Sequence, residues 1–362
     1  MAFGLYLHIP YCEGKCFYCD FYSRGNSRAV PEEYIEALLR EMRRFCNCDC
    51  ASLRPDTLYF GGGTPSLLTP GQAARLISEA APAPGAEITL EANPGTITLD
   101  SLRGYRRAGV NRLSVGVQSA SDEQLRRLGR PHDAAAARRA LQLAREAGFE
   151  NISGDVMLAL PHYSRAEFDA TLELLVSGGV THISCYLLKI EPKTRFGLHP
   201  PQGLPGADAA ADFYLYAVER LAEAGFAQYE ISNFARPGCE SRHNLIYWNC
   251  GDYLGLGPAA YSSMGGERFH YPPDLGAFLA RAAPVETDGR VDAEDYIMLQ
   301  TRLCSGLSLA ELRLRFGVEL DGRQEKLLAA CCKAGLCRLS DDRITLTPRG
   351  MLVQNSILTE VF

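Results

Sequence analysis

Cys12, Cys16 and Cys19 follow one another as Cys-x-x-x-Cys-x-x-Cys close to the start of the chain. Three thiolates from one short loop can hold three corners of a cubane 4Fe-4S cluster. Such a cluster normally takes four cysteines, so one iron is left without a protein ligand. An open coordination position is where chemistry takes place, as it is at three-ligand catalytic zinc sites. Spacing alone also admits a disulfide with one spare thiol, or a zinc ion completed by His8 or Asp20. Zinc sites usually pair Cys-x2-Cys elements with a second ligand pair further on, and none follows here. The loop from Pro10 to Phe21 mixes Tyr11, Phe17, Tyr18 and Phe21 with the thiols. A dry aromatic shell of this kind would limit access of solvent and oxygen to a redox centre.

The chain of 362 residues is long enough for one large domain and a smaller one. A net charge of -6 argues against a general binder of nucleic acid or anionic membrane. Thirteen cysteines are a low fraction at this length, unlike the density of small disulfide-stapled domains. Ala2 to Pro10 is too short for the apolar region of a signal peptide, and no apolar run reaches transmembrane length. The expectation is a cytoplasmic protein with mostly reduced thiols. Cys46, Cys48 and Cys50 form a second local grouping, either an accessory metal site or a loop that tolerates thiols. Cys331, Cys332 and Cys337 lie in a helical, apolar context and read as buried small hydrophobes.

The elements that must position the first cysteines form a regular alternation. Short runs rich in β-branched and aromatic residues predict strands at 4–8, 57–60, 87–91, 112–116, 152–158 and 182–188. Amphipathic patterns at 31–45, 70–80, 99–108, 133–147 and 164–177 predict the helices between them. Ser121 with Gln124, and Ser164 with Glu167, predict capping boxes. A helix at each crossover requires a parallel sheet, so the fold class is α/β, a partial TIM-like (β/α)6 barrel. In such barrels the chemistry collects at the carboxyl ends of the strands.

The Cys loop follows the first strand, as that rule requires. After the second comes Gly61-Gly62-Gly63-Thr64-Pro65, whose missing side chains let backbone amides approach a ligand. The third strand ends in Glu91-Ala92-Asn93-Pro94, the fourth leads to Gln118 and the fifth carries Asp155. Beyond Leu188 the alternation fades. Helical patterns at 291–304, 309–316 and 323–334 precede a hairpin turning at Asp341-Asp342, which predicts a winged-helix-like C-terminal domain. The scattered basic residues make a DNA-binding wing the weaker reading. The expected organisation is a core barrel over 1–235, a connecting segment over 236–285 and a C-terminal helical domain over 286–362.

The three-cysteine loop resembles that of the radical S-adenosylmethionine superfamily. There the methionine amino and carboxylate groups chelate the open iron, and electron transfer yields a 5'-deoxyadenosyl radical. Tyr6-Leu7-His8-Ile9-Pro10, the Cys loop, Gly61-Gly62-Gly63-Thr64-Pro65, Glu91-Ala92-Asn93-Pro94, Ser114-Val115-Gly116-Val117-Gln118-Ser119 and Gly129-Arg130 together sharpen the resemblance. In order and spacing they are similar to the oxygen-independent coproporphyrinogen III oxidase family along the whole chain. The resemblance implies that Tyr6, Gly62 and Glu91 contact a first S-adenosylmethionine. It implies Tyr18, Gly63, Thr64, Gln118, Arg130 and Asp155 around a second. The motif from Leu254 to Ser262 resembles the family's late glycine motif and would put Tyr261 near the first cofactor.

Two departures separate branches of that family. Phe21 stands where the oxidases place a further cysteine, and their longer N-terminal extension is absent. The branch lacking both comprises haem chaperones, which also carry His-Asn-x-x-Tyr-Trp, matched here by His243, Asn244, Tyr247 and Trp248. A histidine beside aromatic faces can offer nitrogen to haem iron, and the resemblance makes His243 the expected ligand. From the residues alone, a helix start with a partly buried histidine and core aromatics is an equal reading. The implied cofactors are a 4Fe-4S cluster, S-adenosylmethionine and haem. The implied partners are haem, acceptor apoproteins with membrane-associated ones among the candidates, an electron donor and a second copy of the chain in a homodimer, without nucleic acid. The rival reading is a radical enzyme that decarboxylates the propionates of coproporphyrinogen III, and a radical methyltransferase is a remote third.

Overall fold

The computed structural model describes residues 2–46, 54–281 and 285–362. The side chains of Cys46, Cys48 and Cys50 fall outside the described residues. Six strands, β1 (Phe3–Ile9), β2 (Thr57–Gly62), β3 (Glu87–Ala92), β4 (Arg112–Gln118), β5 (Asn151–Leu158) and β6 (His182–Leu187), pair in parallel in chain order. Each lies within two residues of its predicted span. The helices between them bury their apolar stripes on the outer face of the sheet. The first, Glu32–Cys46, buries Tyr34, Ile35, Leu38 and Met42, starts with two glutamates and ends with two arginines, which suits its dipole. The capping box at Ser164 and Glu167 is formed. At Ser121 only half of one exists, because the Gln124 amide donates to Pro161 O at 3.1 Å instead of turning back.

The sheet is wider than the alternation predicts. β7 (Ala227–Glu230) and β8 (Asn233–Ala235) add antiparallel strands beside β6. β9 (Asp252–Leu256) pairs in parallel with β1, and β10 (Tyr261–Met264), β11 (Glu267–His270) and β12 (Glu286–Arg290) follow as an antiparallel ribbon. Residues 236–285 thus contribute β9, β10 and β11 to the same sheet, whose ends β7 and β12 stay unpaired with each other among the described residues and leave the barrel open.

The inner face of the barrel is polar. Strands buried on both sides of a parallel sheet usually read as continuous apolar runs. Here most alternate residues of β3 to β6 are hydrophilic, as in Glu87, Thr89 and Glu91 or Ser153 and Asp155. These groups bond from strand to strand along the inner wall: Ser114 Oγ donates to Asp155 Oδ1 at 3.1 Å, and His182 joins Ser153 Oγ at 2.7 Å to the Tyr229 hydroxyl at 2.8 Å. Arg112, 2 % exposed, adds a buried positive charge among them.

The C-terminal part has its own core of Tyr296, Leu307, Leu312, Leu328, Ile344 and Leu346. Helices Ala293–Gln300, Leu309–Phe316 and Gly322–Lys333 pack on a small sheet of β13 (Leu307–Ser308), β14 (Cys337–Ser340) and β15 (Arg343–Leu346), the winged-helix-like arrangement expected. The hairpin turns at Asp341 and Asp342, at φ of 48° and 60°, the signature of a type I′ turn. Cys337 is buried there with Cys332 Sγ at 3.3 Å from its sulfur, while Cys331 and Cys332 are only partly covered. Among the described residues no helix is long and apolar enough to cross a membrane.

Candidate functional site

The Cys loop is held at both flanks by backbone hydrogen bonds. Cys12 N donates to Arg24 O at 2.9 Å, Asn26 N to Glu13 O at 3.1 Å and Phe17 N to Leu128 O at 3.0 Å. Gly129, at φ of 70°, lies so close to Phe17 that a Cβ would meet its ring at 2.6 Å. Glycine at this point lets the end of helix Asp122–Leu128 close on the loop and directs the next residue, Arg130, at Cys16.

Cys12, Cys16 and Cys19 line one cavity of about 550 Å³ at the carboxyl ends of the strands. Tyr18, Gly62, Gly63, Thr64, Glu91, Gln118, Arg130 and Asp155 line it with them, so residues scattered over the sequence meet in one place. Asn93, Ser114, Tyr186 and Lys189 also line it and carry no role in the sequence reading. Each sits in a strand or just past its end, the signal that could have found them. Phe21, expected in a dry aromatic shell, is instead 69 % exposed.

Two buried acids at the cavity, Glu91 and Asp155, are shifted upward. Burial pushes the Glu91 carboxyl up to about 7, against the hydrogen bond donated by the Tyr59 hydroxyl at 2.8 Å, with the nearby Asp155 adding to the rise. Gly62 N donates to the other Glu91 oxygen at 3.2 Å. Burial likewise raises Asp155. Burial pushes the Cys19 thiol up to about 11, so metal must displace its proton on binding.

Tyr6 does not line the cavity. Its hydroxyl donates to His8 Nδ1 at 3.0 Å, and His8 Nε2 donates to Tyr22 O at 2.8 Å. With both nitrogens engaged, His8 cannot complete a zinc site. Among the described residues no three or more His, Cys, Asp or Glu converge on a single-ion site. The donor set therefore does not fit a lone zinc ion. Three thiols around a roomy cavity fit a cubane, whose cysteines each bind a different iron.

Tyr261 also lies outside the cavity lining: it is 51 % exposed and stacks on His270 at 4.7 Å. His243, the residue expected to reach haem iron, also lies outside the cavity lining. It is 1 % exposed in helix Arg242–Trp248, with Nδ1 bonded to Thr57 Oγ1 at 2.7 Å and Nε2 to the Tyr247 hydroxyl at 2.6 Å. Its ring stacks on Tyr59 at 5.0 Å, and burial lowers its pKa to about 3, with the Arg112 charge adding to the drop. No lone pair remains for haem iron in this arrangement. The ring packs against Gly4, at the amino end of β1, whereas the Cys loop leaves the carboxyl end. Glu87 fastens this helix by accepting from the backbone amides of Arg242 and His243 at 3.2 and 3.1 Å. Asn244 N bonds to Ser241 Oγ at 3.4 Å, and the Arg302 guanidinium covers the Trp248 ring at 4.3 Å. The four motif residues thus seal the base of the barrel. His243→Ala is expected to lower unfolding stability by about 3 kcal/mol, through two orphaned hydrogen bonds and a cavity, read from urea denaturation of the metal-free protein. A loss below about 1 kcal/mol would contradict this sealing role.

The sequence pattern of the Radical SAM superfamily matches residues 6–175, and that of the HemN C-terminal domain matches residues 288–353. The chain is 34% identical over 373 residues to the heme chaperone HemW of Bacillus subtilis, covering 97% of each chain. It is 43% identical over 269 residues to heme chaperone HemW of Escherichia coli, covering 72% of this chain and 70% of that one. A mouse protein, radical S-adenosyl methionine domain-containing protein 1, mitochondrial, is 38% identical over 320 residues, covering 85% and 70%. In fold the chain is similar to the coproporphyrinogen III oxidase HemN of Escherichia coli, with a TM-score of 0.83 over 99% of this chain and 89% of that one at 23% identity.

Proposed function

From the membership of this chain in the HemW family of haem chaperones, within the radical S-adenosylmethionine superfamily, we propose that it holds a 4Fe-4S cluster and S-adenosylmethionine at the mouth of its barrel, binds haem and passes it to acceptor apoproteins. The observation that carries this reading is the similarity along essentially the full length of a haem chaperone, C-terminal domain included.

When bound, the cluster supplies an electron and a coordination position. The chain's own residues supply the cradle. Cys12, Cys16 and Cys19 would be the ligands. The Glu91 carboxylate can accept from an ammonium or from sugar hydroxyls, and its titration near neutrality lets a cationic ligand draw it into the charged form. Tyr6 lies behind this acid rather than on the cavity wall, so its part is to support the floor. Tyr18, Gly63, Thr64, Gln118 and Asp155 line the same cavity and would contact a second S-adenosylmethionine. His243 can reach haem iron only in a state in which the Tyr247 hydroxyl has left Nε2. A further copy of the chain, an electron donor and membrane-associated acceptors remain part of this proposal.

Catalytic decarboxylation of coproporphyrinogen III is the competing reading, favoured by the fold it shares with HemN. One anaerobic experiment separates them. The cluster is reconstituted and reduced, and S-adenosylmethionine and coproporphyrinogen III are added, while haem is titrated into a parallel sample. Saturable haem binding without porphyrin turnover is the expected result. Formation of protoporphyrinogen would overturn the chaperone reading.

A further inference from the structure

Two of the three clustered sulfurs each face a side-chain hydrogen-bond donor, and one asparagine holds both donors. The Thr64 hydroxyl donates to Cys12 Sγ at 3.4 Å, and Arg130 Nη1 donates to Cys16 Sγ at 3.4 Å. Asn93 stands between these donors, its Nδ2 donating to Thr64 Oγ1 at 2.9 Å and its Oδ1 accepting from Arg130 Nη2 at 2.7 Å.

The directions in this chain of bonds are forced. A guanidinium has donors only, so the amide atom that meets Arg130 must be the oxygen. That turns the amide NH2 toward Thr64. The Thr64 oxygen then accepts the amide proton, and its own single proton is left for the sulfur of Cys12. The asparagine thereby aims a hydroxyl at one thiolate and a positive charge at the next.

The frame around Asn93 is stiff. Its backbone N donates to Ser66 Oγ at 3.2 Å, and its carbonyl accepts from Thr96 Oγ1 at 3.0 Å. Arg130 Nη2 is anchored a second time by Gly116 O at 2.8 Å, and Thr64 is 1 % exposed.

We propose that Asn93 is a positioning residue that sets the reduction potential of the cluster, by holding Thr64 and Arg130 on the sulfurs of Cys12 and Cys16. This rests on the reading of the three cysteines as cluster ligands. The reduced cluster carries one more negative charge than the oxidised one. Donors and a cation fixed on its ligand sulfurs therefore stabilise the reduced form and raise the potential. Arg130 acquires a task on the cluster itself, since both of its Nη atoms are already committed before any second cofactor is considered.

The test is a reductive titration of the reconstituted cluster, followed by electron paramagnetic resonance, with iron and sulfide content measured alongside. Asn93→Ala is expected to keep its cluster but to show a midpoint lower by about 59 mV or more, a tenfold smaller ratio of reduced to oxidised cluster at fixed poise. Thr64→Val should move the same way by less, and Thr64→Ser, which keeps the hydroxyl, should return to the wild-type midpoint. An unchanged midpoint in fully loaded Asn93→Ala would overturn the proposal. If Asn93→Ala assembles no cluster, the pair Thr64→Val and Thr64→Ser decides. Loss of the cluster from both Asn93→Ala and Thr64→Val would also overturn the proposal, by assigning these residues to cluster retention. A wild-type protein without any cubane signal is a separate failure, that of the three-cysteine reading.

Discussion

Cys16→Ala is expected to hold essentially no iron after anaerobic reconstitution while its barrel stays folded. Two thiolates cannot retain a cubane against exchange when a third corner is already open to exogenous ligand. Cys16 sits in a loop, partly exposed, and its neighbour Phe17 is fastened through backbone groups that the substitution leaves alone. The metal-free variant should therefore unfold within about 1 kcal/mol of the metal-free parent. Iron, sulfide and the cluster absorbance, compared between variant and parent, check the expectation. A variant that retains a full cluster would show that another side chain serves as ligand.

Gly63→Ala should be nearly as damaging to the cluster without touching a ligand. A Cβ on Gly63 would stand 2.7 Å from Tyr11 O, 2.9 Å from Ile9 O and 3.0 Å from Cys12 Sγ. Two of those neighbours are backbone carbonyls at the end of β1, where Gly63 N itself bonds to Ile9 O at 2.9 Å, so neither can rotate aside. Relief requires the Cys loop to lift away from β2, which carries Cys12 with it. The cost is about 2 kcal/mol of stability, typical of overpacking, and loss of most of the iron after reconstitution. Circular dichroism with urea unfolding gives the first quantity and metal analysis the second. Normal cluster content in Gly63→Ala would mean that the loop is not seated against Gly63.

The barrel was legible because its outer faces are apolar at the right period and each helix begins with recognisable chemistry, as at Ser164 and Glu167. The flanking strands were not. β12, Glu-Thr-Asp-Gly-Arg, is exposed at every position, so nothing in its residues alternates. β7 and β8 are too short to show a period. The polar lumen was visible in principle, in Glu87, Thr89 and Glu91 at every second place, but that pattern also describes a strand with one face in water.

The site divides in the same way. Cys12, Cys16 and Cys19 stand out by type and spacing, and Gly62, Glu91 and Asp155 by their places in the carboxyl-terminal halves of strands. Asn93 reads as an ordinary turn residue before Pro94, and only the fold reveals that it lies between Thr64 and Arg130. His243 shows the opposite limit. Its company of tyrosine and tryptophan suggested a haem face, yet a neutral imidazole with two engaged nitrogens is equally a means of joining Thr57 of β2 to Tyr247 beneath the barrel. Sequence supplies the types of such groups but not whether their lone pairs are already taken.

On the proposed function, Cys12, Cys16 and Cys19 hold a cubane that keeps one iron open to S-adenosylmethionine. The direct measurement is electron paramagnetic resonance of the reconstituted, reduced protein, recorded with and without that molecule. The expected result is the signal of a reduced 4Fe-4S cluster whose shape changes when S-adenosylmethionine is added. Identical spectra in the two samples, or no cluster signal in either, would contradict it.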